Sequence, residues 1–576
     1  MSEQSLDDPQ ATSLDPLSAS GRHPVPGRGI QNRAGHGFLD VSRLNSWAWL
    51  GIATLSGLIT GLGFPPLHLW VLIPVGVAGM AWACCHLKPG RGLLAGWLYG
   101  FGFNIVVVHW ISVLGVPVLA ILVAWMAVWY GLVGLVLSLT RKIPGGLLVG
   151  MAMWIAIEWG AARWPMGGFG WARLAFSAAG TPIDGLFPLI SSTGVSLLIA
   201  GSGFGLAWIV RTLERHASTQ AASLLRSRVL PRVGVLGAYL IFVGAGGILG
   251  NTWTPVAEGE TYNVAVVQGN VPGSGIDALG PTYTVENNHL AQTILLAAAI
   301  RTGAETQPDF VIWPENSTAT DPLTDKHTQK AITTAVDLMG VPILVGAITR
   351  GPGEDERQTT ALWWTVDDGI EATYHKRNLV PFGEWIPARD LLLPLIDVLK
   401  YIGAQSVPGT TPGVLNVTTN KGQLRLGDII CFELAYDDTF NEMMTGDETT
   451  GGGAQIVAVQ TSNAMFTGTD QMSQQDAITR VRAMEARRDI LVATTNSLAG
   501  LIDARGSVVY EAELRTSDSH VFSVTTSTHL TPAVRFRTVF DIAGVGFPLL
   551  LWAVVLMGST RANKRVVSQG TEEGVA

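Results

Sequence analysis

The sequence predicts a polytopic α-helical membrane protein, with about eight spans, that carries one α/β domain outside the membrane. Three observations lead there. Between residues 46 and 250 the only acids are Glu158, Asp184 and Glu214, set among long runs of Leu, Val, Ala, Gly, Ile and Trp. Lys and Arg cluster in alternate loops between those runs. After residue 250, nearly 290 residues of ordinary soluble composition precede one last apolar run.

The composition agrees. Of 576 residues, 48% are hydrophobic and only 14% charged, where about 25% charged is usual for soluble domains; mean hydropathy is +0.32. A net charge of -8 leaves no basic surplus for a polyanion, so nucleic acid is not an expected partner. The three cysteines, Cys84, Cys85 and Cys431, build no disulfide framework. Cys84 and Cys85 read as packing residues within an apolar run, which leaves Cys431 in need of another account.

Residues 1–45 are rich in Pro, Gly, Ser and Asp and have no apolar run, as expected of a disordered tail and not of a signal peptide. Residues 46–250 form the membrane domain, with spans at about 47–63, 67–87, 92–112, 115–139, 144–163, 187–210 and 232–250, the first being short for a crossing. Residues 251–535 form the soluble domain, 536–560 an eighth span at about 538–558, and 561–576 a tail.

Charge orients this array. Sixteen cations lie in the first set of loops and tails: Arg22, Arg28, Arg33, Arg43, Lys88, Arg91, Arg141, Lys142, Arg211, Arg215, Arg226, Arg228, Arg232, Arg561, Lys564 and Arg565. The alternate short loops hold two, Arg163 and Arg173. The positive-inside rule then puts both termini in the cytoplasm and the soluble domain on the outer side of the cytoplasmic membrane.

Within that domain, β-branched apolar runs recur at Tyr262–Val267, Phe310–Trp313, Pro342–Ile348, Leu362–Val366, Asp428–Phe432, Gln455–Gln460 and Ile490–Thr495. Helix-compatible segments at 287–302, 327–339 and 470–488 lie between several of them. Alternation of this kind predicts a sheet covered by helices. No G-x-G-x-x-G follows a strand, and there is no P-loop and no metal-spaced His/Cys cluster, so neither a cofactor nor a metal is expected.

Three strand ends carry reactive groups: Trp313-Pro314-Glu315-Asn316, Tyr374-His375-Lys376-Arg377, and Cys431-Phe432-Glu433. Singly, a strand-end Glu is an ordinary rim residue and a strand Cys an ordinary core residue. Together they supply what acyl chemistry needs: a thiol, a base to take its proton, and a fixed cation for the developing oxyanion.

In this order, with an acid two residues after the Cys, the trio resembles the nitrilase or carbon-nitrogen hydrolase superfamily. That resemblance implies an α-β-β-α sandwich with Glu315 as general base, Lys376 as oxyanion stabiliser and Cys431 as nucleophile. With seven spans before the domain and one after, the chain is similar to the apolipoprotein N-acyltransferase family, the membrane-integrated branch. The similarity rests on Gly63-Phe64-Pro65-Pro66, Glu158-Trp159 with Arg163, Gly168-Phe169-Gly170-Trp171, Val267-Gln268-Gly269-Asn270, Lys376-Arg377 with Leu379-Val380-Pro381-Phe382-Gly383-Glu384, and Arg482-Ala483-Met484-Glu485. It implies a phospholipid acyl donor, a Cys431 thioester, and a diacylated lipoprotein acceptor, in a monomeric enzyme. A membrane-tethered amidase or nitrilase would use the same trio with water as acceptor.

Glu384 and Glu433 match supporting positions of the family, serving either the chemistry or a structural ion pair, and Phe432, next to the nucleophile, is a third supporting candidate. The chain departs from the family at Ser462-Asn463-Ala464-Met465-Phe466, at Phe432 where Tyr is frequent, and at Asp277, where a Trp is common after Gln268-Gly269-Asn270. Residues 390–402 are unusually apolar and serve either as a membrane arm, through Leu392, Leu395 and Leu399, or as a buried helix. Glu158, an acid inside a span, needs a partner, and Arg163 is the expected one.

Overall fold

The structure, a computed structural model, describes residues 44–572 apart from 216–224, 254–256, 274, 276, 277, 279, 396–398, 401 and 402. The expectations for residues 1–43, for Asp277, and for Ile396, Val398 and Ile402 therefore lie outside the described residues.

Among the described residues, seven α-helices precede the first strand: α1 (Ser46–Gly61), α2 (Leu72–Cys84), α3 (Pro89–Val107), α4 (Val116–Thr140), α5 (Gly146–Ala161), α6 (Phe187–Arg215) and α7 (Leu230–Asn251). Among the described residues, four helices are long and apolar enough to cross a membrane: Val116–Thr140, Asp184–Glu214, Arg226–Asn251 and Arg537–Thr560. Helices α2 and α5 are apolar but shorter. At 13 residues, α2 spans about 20 Å against a hydrocarbon core of about 30 Å. Helix α6 is broken at Ser191, whose φ is 59°.

The soluble residues form two sheets. The first runs β13-β1-β2-β3-β4-β5, from Thr261–Gln268 (β1), Phe310–Ile312 (β2), Ile343–Arg350 (β3), Glu356–Thr365 (β4), Gly369–His375 (β5) and Asp518–Thr525 (β13), with Gln405–Ser406 (β6) pairing β4. The second runs β12-β11-β10-β9-β8-β7, from Val414–Thr419 (β7), Gly422–Ile430 (β8), Ile456–Thr461 (β9), Ile490–Thr494 (β10), Gly500–Ile502 (β11) and Val508–Glu511 (β12).

Period-two alternation explains how the sheets stack. Val264, Val266, Phe310, Ile312 and Trp363 of the first sheet share a core with Leu424, Leu426, Ile430, Ile456 and Leu491 of the second. The intervening Ala265, Val267 and Val311 turn outward to Leu296 of α8 (Thr284–Arg301) and Ile332 and Val336 of α9 (Lys326–Met339). Ile429, Val457 and Val459 turn the other way, toward Phe440 and Met443 of α10 (Asp437–Thr445) and Ile478 and Val481 of α11 (Gln471–Ala486). The result is an α-β-β-α sandwich. The second outer layer shares one continuous apolar core with α1–α6, so the sandwich is packed onto the helical block.

The last helix, α12, runs Arg537–Glu572, past the expected end of the eighth span and into what was expected to be a tail. Just beyond residue 560 it holds Arg561, Ala562, Lys564 and Arg565, good helix formers in water, which continue the helix out of the apolar run.

Candidate active site

Each residue of the expected trio stands just beyond a strand end. Glu315 follows β2, Lys376 follows β5, and Cys431 follows β8. The strand expected through Phe432 stops at Ile430, and Cys431 opens a tight turn, Cys431–Ala435, with φ 53°. Asn316 and Phe382, beside Glu315 and Glu384, are also left-handed, at 52° and 63°. A non-glycine residue there costs about 1–2 kcal/mol, and such residues gather where a site is over-determined by its surroundings. Gly346 on β3 lets the Glu315 loop come close, since a Cβ would stand 2.2 Å from Pro314 O.

The Lys376 ammonium donates to Glu315 Oε1 at 2.8 Å and to Glu384 Oε1 at 3.0 Å. The second oxygen of Glu315 accepts from Ser462 N at 2.7 Å, and that of Glu384 accepts from Val380 N at 2.7 Å. Glu315 and Lys376 are 3% and 2% exposed. Burial raises Glu315 above the usual carboxylate range even against the pull of Lys376. Burial acts to lower Lys376, but Glu315 and Glu384 prevail and hold it well above its ordinary value, so it stays cationic. Burial, with Glu315 adding to it, pushes the Cys431 thiol up to about 12, against Lys376 and a hydrogen bond with Thr461. A neutral thiol at rest beside a carboxylate of raised proton affinity is suited to transfer its proton only when a carbonyl is in place.

The three groups line one cavity of about 260 Å³ together with Glu384, Arg357, Thr359, Ser462 and a largely apolar remainder. That remainder includes Phe382, Phe466, Leu399 and, from the turn after α3, Leu114. The reactive groups therefore face a space whose wall is partly supplied by the helical block.

The supporting residues divide. Glu384 belongs to the cluster. Glu433 makes no ion pair with Lys376; it is fully buried and accepts from Tyr374 OH at 2.8 Å, Arg377 N at 2.6 Å and Ile430 N at 2.8 Å. It thereby ties the nucleophile turn to the Lys376 loop. Phe432 points away from the cavity, onto Trp171 with centroids 5.8 Å apart and Phe169 at 5.2 Å.

Two expectations need correction. Arg163 is not the partner of Glu158: its guanidinium pairs with Asp438 at 2.7 Å. Arg163 stands beyond the end of α5 (Gly146–Ala161), with its guanidinium over the Trp159 ring, 4.4 Å from the centroid, and so is held away from Glu158. Glu158 instead accepts from Trp154 Nε1 at 3.0 Å and Leu174 N at 3.1 Å, with Arg173 Nε 3.7 Å away. The three leucines of the apolar stretch do not share a face either. Helix ends at Leu392 (Arg389–Leu392) before Pro394; Leu392 is half-buried, Leu395 is 72% exposed, and Leu399 is 1% exposed in the cavity wall.

One buried acid close to the nucleophile carries no sequence signal. Asp428 on β8 is fully buried and neither of its oxygens has a partner among the described residues. Burial, with the charges of Glu433 and Glu315 adding to it, pushes it well above the carboxylate range. The seam between sandwich and helices is also polar. Gln474 Nε2 donates to Val107 O at 2.9 Å, while Trp171 and Trp110 donate to its Oε1 at 2.7 and 3.1 Å. Arg173 pairs with Asp437, Arg482 reaches the same Asp at 2.8 Å, and Glu485 accepts from Ser192 N at 2.6 Å, capping the helix beyond the Ser191 break. Among the described residues no group of His, Cys, Asp and Glu is arranged to hold a metal ion.

Residues 56–205 match the family model of the apolipoprotein N-acyltransferase N-terminal domain. An apolipoprotein N-acyltransferase of Mycolicibacterium smegmatis is 29% identical over 535 residues, covering 90% of this chain and 87% of that protein. One from Shewanella oneidensis is 25% identical over 551 residues, covering 90% and 96%. Among solved structures, an amidase from Nesterenkonia sp. AN1 aligns with 48% of this chain and 98% of its own at 15% identity and a TM-score of 0.34.

Proposed function

Because this chain belongs to the apolipoprotein N-acyltransferase family, we infer that it transfers an acyl chain from a membrane phospholipid, through a Cys431 thioester, to the α-amine of diacylglyceryl-cysteine at a lipoprotein N-terminus. In the first half, Glu315 takes the thiol proton and the thiolate adds to the ester carbonyl. Lys376 stabilises the oxyanion. The bond to glycerol oxygen breaks, Glu315 returns the proton to that oxygen, and lysophospholipid departs. In the second half the neutral amine attacks the thioester, Glu315 takes a proton from it, and the thiolate leaves, recovering that proton. Glu384 holds Lys376 in place, and Glu433 sets the turn that presents the thiol.

One observation carries this reading over simple hydrolysis: the trio opens into a largely apolar cavity that shares Leu114 with the helical block. An acyl chain arriving from a bilayer finds apolar wall next to the nucleophile, and the same wall keeps water from the waiting thioester.

The proposed arrangement is multi-pass in the cytoplasmic membrane, with eight crossings, both termini inside and residues 251–535 outside, as one monomer without a cofactor. The Lys and Arg distribution supports the orientation, and the exposed Leu391 and Leu395, a few residues before Leu399 of the cavity wall, support contact of that segment with the outer leaflet.

The test is to incubate the purified protein with a phospholipid and a synthetic diacylglyceryl-cysteine peptide and follow both by mass spectrometry. N-acylated peptide and lysophospholipid in equal amounts are expected. Free fatty acid released rapidly without the amine would favour the hydrolase.

A further inference from the structure

We propose that Arg357 is the residue that recognises the acyl donor's headgroup, taking the phosphodiester of the phospholipid while the acyl chain lies along the apolar wall. The proposal rests on the function inferred above and adds the feature of the site that tells a phospholipid from other acyl esters.

Arg357 lies on β4 two residues before Thr359, so the two side chains share a face, and both line the cavity that holds Glu315, Lys376 and Cys431. Its Nε donates to Ser406 Oγ at 3.2 Å, on the neighbouring strand where Ser406 is its register partner. That bond fixes the plane of the guanidinium. The remaining nitrogens make no hydrogen bond, and the group makes no ion pair, among the described residues. Glu384 acts on it through space but is already taken by Lys376, Thr359 and Val380 N.

The two cations of the cavity therefore differ in kind. Lys376 is shared by two carboxylates, whereas Arg357 stands half-buried with its fork uncommitted. Removing a guanidinium from water without a partner is costly, and an anion that enters the cavity offsets that cost. Two parallel N–H donors match the oxygens of a phosphodiester in a way that a point charge does not. Of the two substrates, only the donor carries both a phosphate and an acyl ester. Phe382, Leu399 and Phe466 offer the chain apolar surface in the same cavity.

The experiment measures thioester formation with two acyl donors of the same chain length, a phosphatidylglycerol and a phosphate-free diacylglycerol. Its readout is the ratio of their kcat/KM values. Arg357→Gln should lower the ratio by about tenfold or more, the scale of a lost charge-assisted hydrogen bond. Arg357→Lys, which keeps the charge and loses the fork, should lower it by a smaller factor. A general loss of activity lowers both donors alike, so a ratio left at the wild-type value in either variant overturns the assignment. Inorganic phosphate added to the diacylglycerol reaction should not inhibit. Inhibition in the wild type that disappears in Arg357→Gln would mark a site for free oxyanions and overturn the headgroup role. Failure of the wild type to acylate itself from any phospholipid would instead overturn the inferred function.

Discussion

Lys376 and Glu315, 61 residues apart in the chain, are joined by a buried hydrogen-bonded ion pair of 2.8 Å, and Glu384 holds the same ammonium from its other side at 3.0 Å. The cation is thus fixed before substrate arrives, so little reorganisation is left for the moment of reaction.

Removing one anchor tests this directly. Glu384→Gln breaks one of two buried pairs, and breaking such a pair costs about 3–5 kcal/mol. With Glu315 still in place, part of that loss should fall on acylation, lowering its rate by about two orders of magnitude in single-turnover assays. A rate within about twofold of wild type would show that Glu384 only packs.

The thiol's proton affinity gives a second expectation. Because burial and Glu315 raise Cys431 to about 12, the thiolate fraction is small at pH 7. Alkylation by a membrane-impermeant probe should rise about tenfold per pH unit from pH 7 to 9 without levelling. An ordinary thiol, at about 8.5, levels in that range. A plateau near pH 8 would contradict the buried setting.

A third concerns the seam. Burial acts to raise Asp437, but Arg173, Arg482 and Arg537 outweigh it and hold its carboxyl far below the usual carboxylate range. A depressed carboxylate stabilises the fold fully above its unfolded pKa, about 4, and loses that contribution only as pH falls through the folded value. The Tm deficit of Asp437→Asn should therefore be constant from about pH 8 to 5 and shrink only in stronger acid. A deficit that grows on acidification would reverse the sign.

Glu315 and Cys431 were legible because each closes an apolar strand, a pattern that survives in a single sequence, whereas Lys376 was legible only from the motif around it, Tyr374-His375-Lys376-Arg377. A sheet covered by helices was legible too, from runs such as Gln455–Gln460, while the stacking of two sheets was expected only from the family resemblance. Strands β5, β7 and β13 escaped notice because they alternate with polar residues or lie partly at the surface. The Glu158 partner was missed since Arg173 returns on a loop, and Arg173 meets Asp437 across 264 residues. Arg357, flanked by Asp355 and Glu356, resembles any surface charge in the sequence. Asp428 resembles a strand residue, and only the stacking of two sheets buries it.

Orientation is the fourth expectation. Reporter fusions after Thr252 and Thr528 should report the outer side, and fusions after Arg226 and Arg565 the cytoplasm. An inside signal at Thr252 would mean one crossing fewer or more, and α1 and α2, with 16 and 13 residues, would be the place to look.

The most direct measurement is the intact mass of the protein after incubation with acyl-labelled phospholipid and no acceptor. The account predicts one acyl group on the peptide containing Cys431, released by neutral hydroxylamine, absent in Cys431→Ala, and transferred when diacylglyceryl-cysteine peptide is added. Label that persists in Cys431→Ala, or wild-type protein that transfers acyl chains without ever carrying one on Cys431, would contradict it.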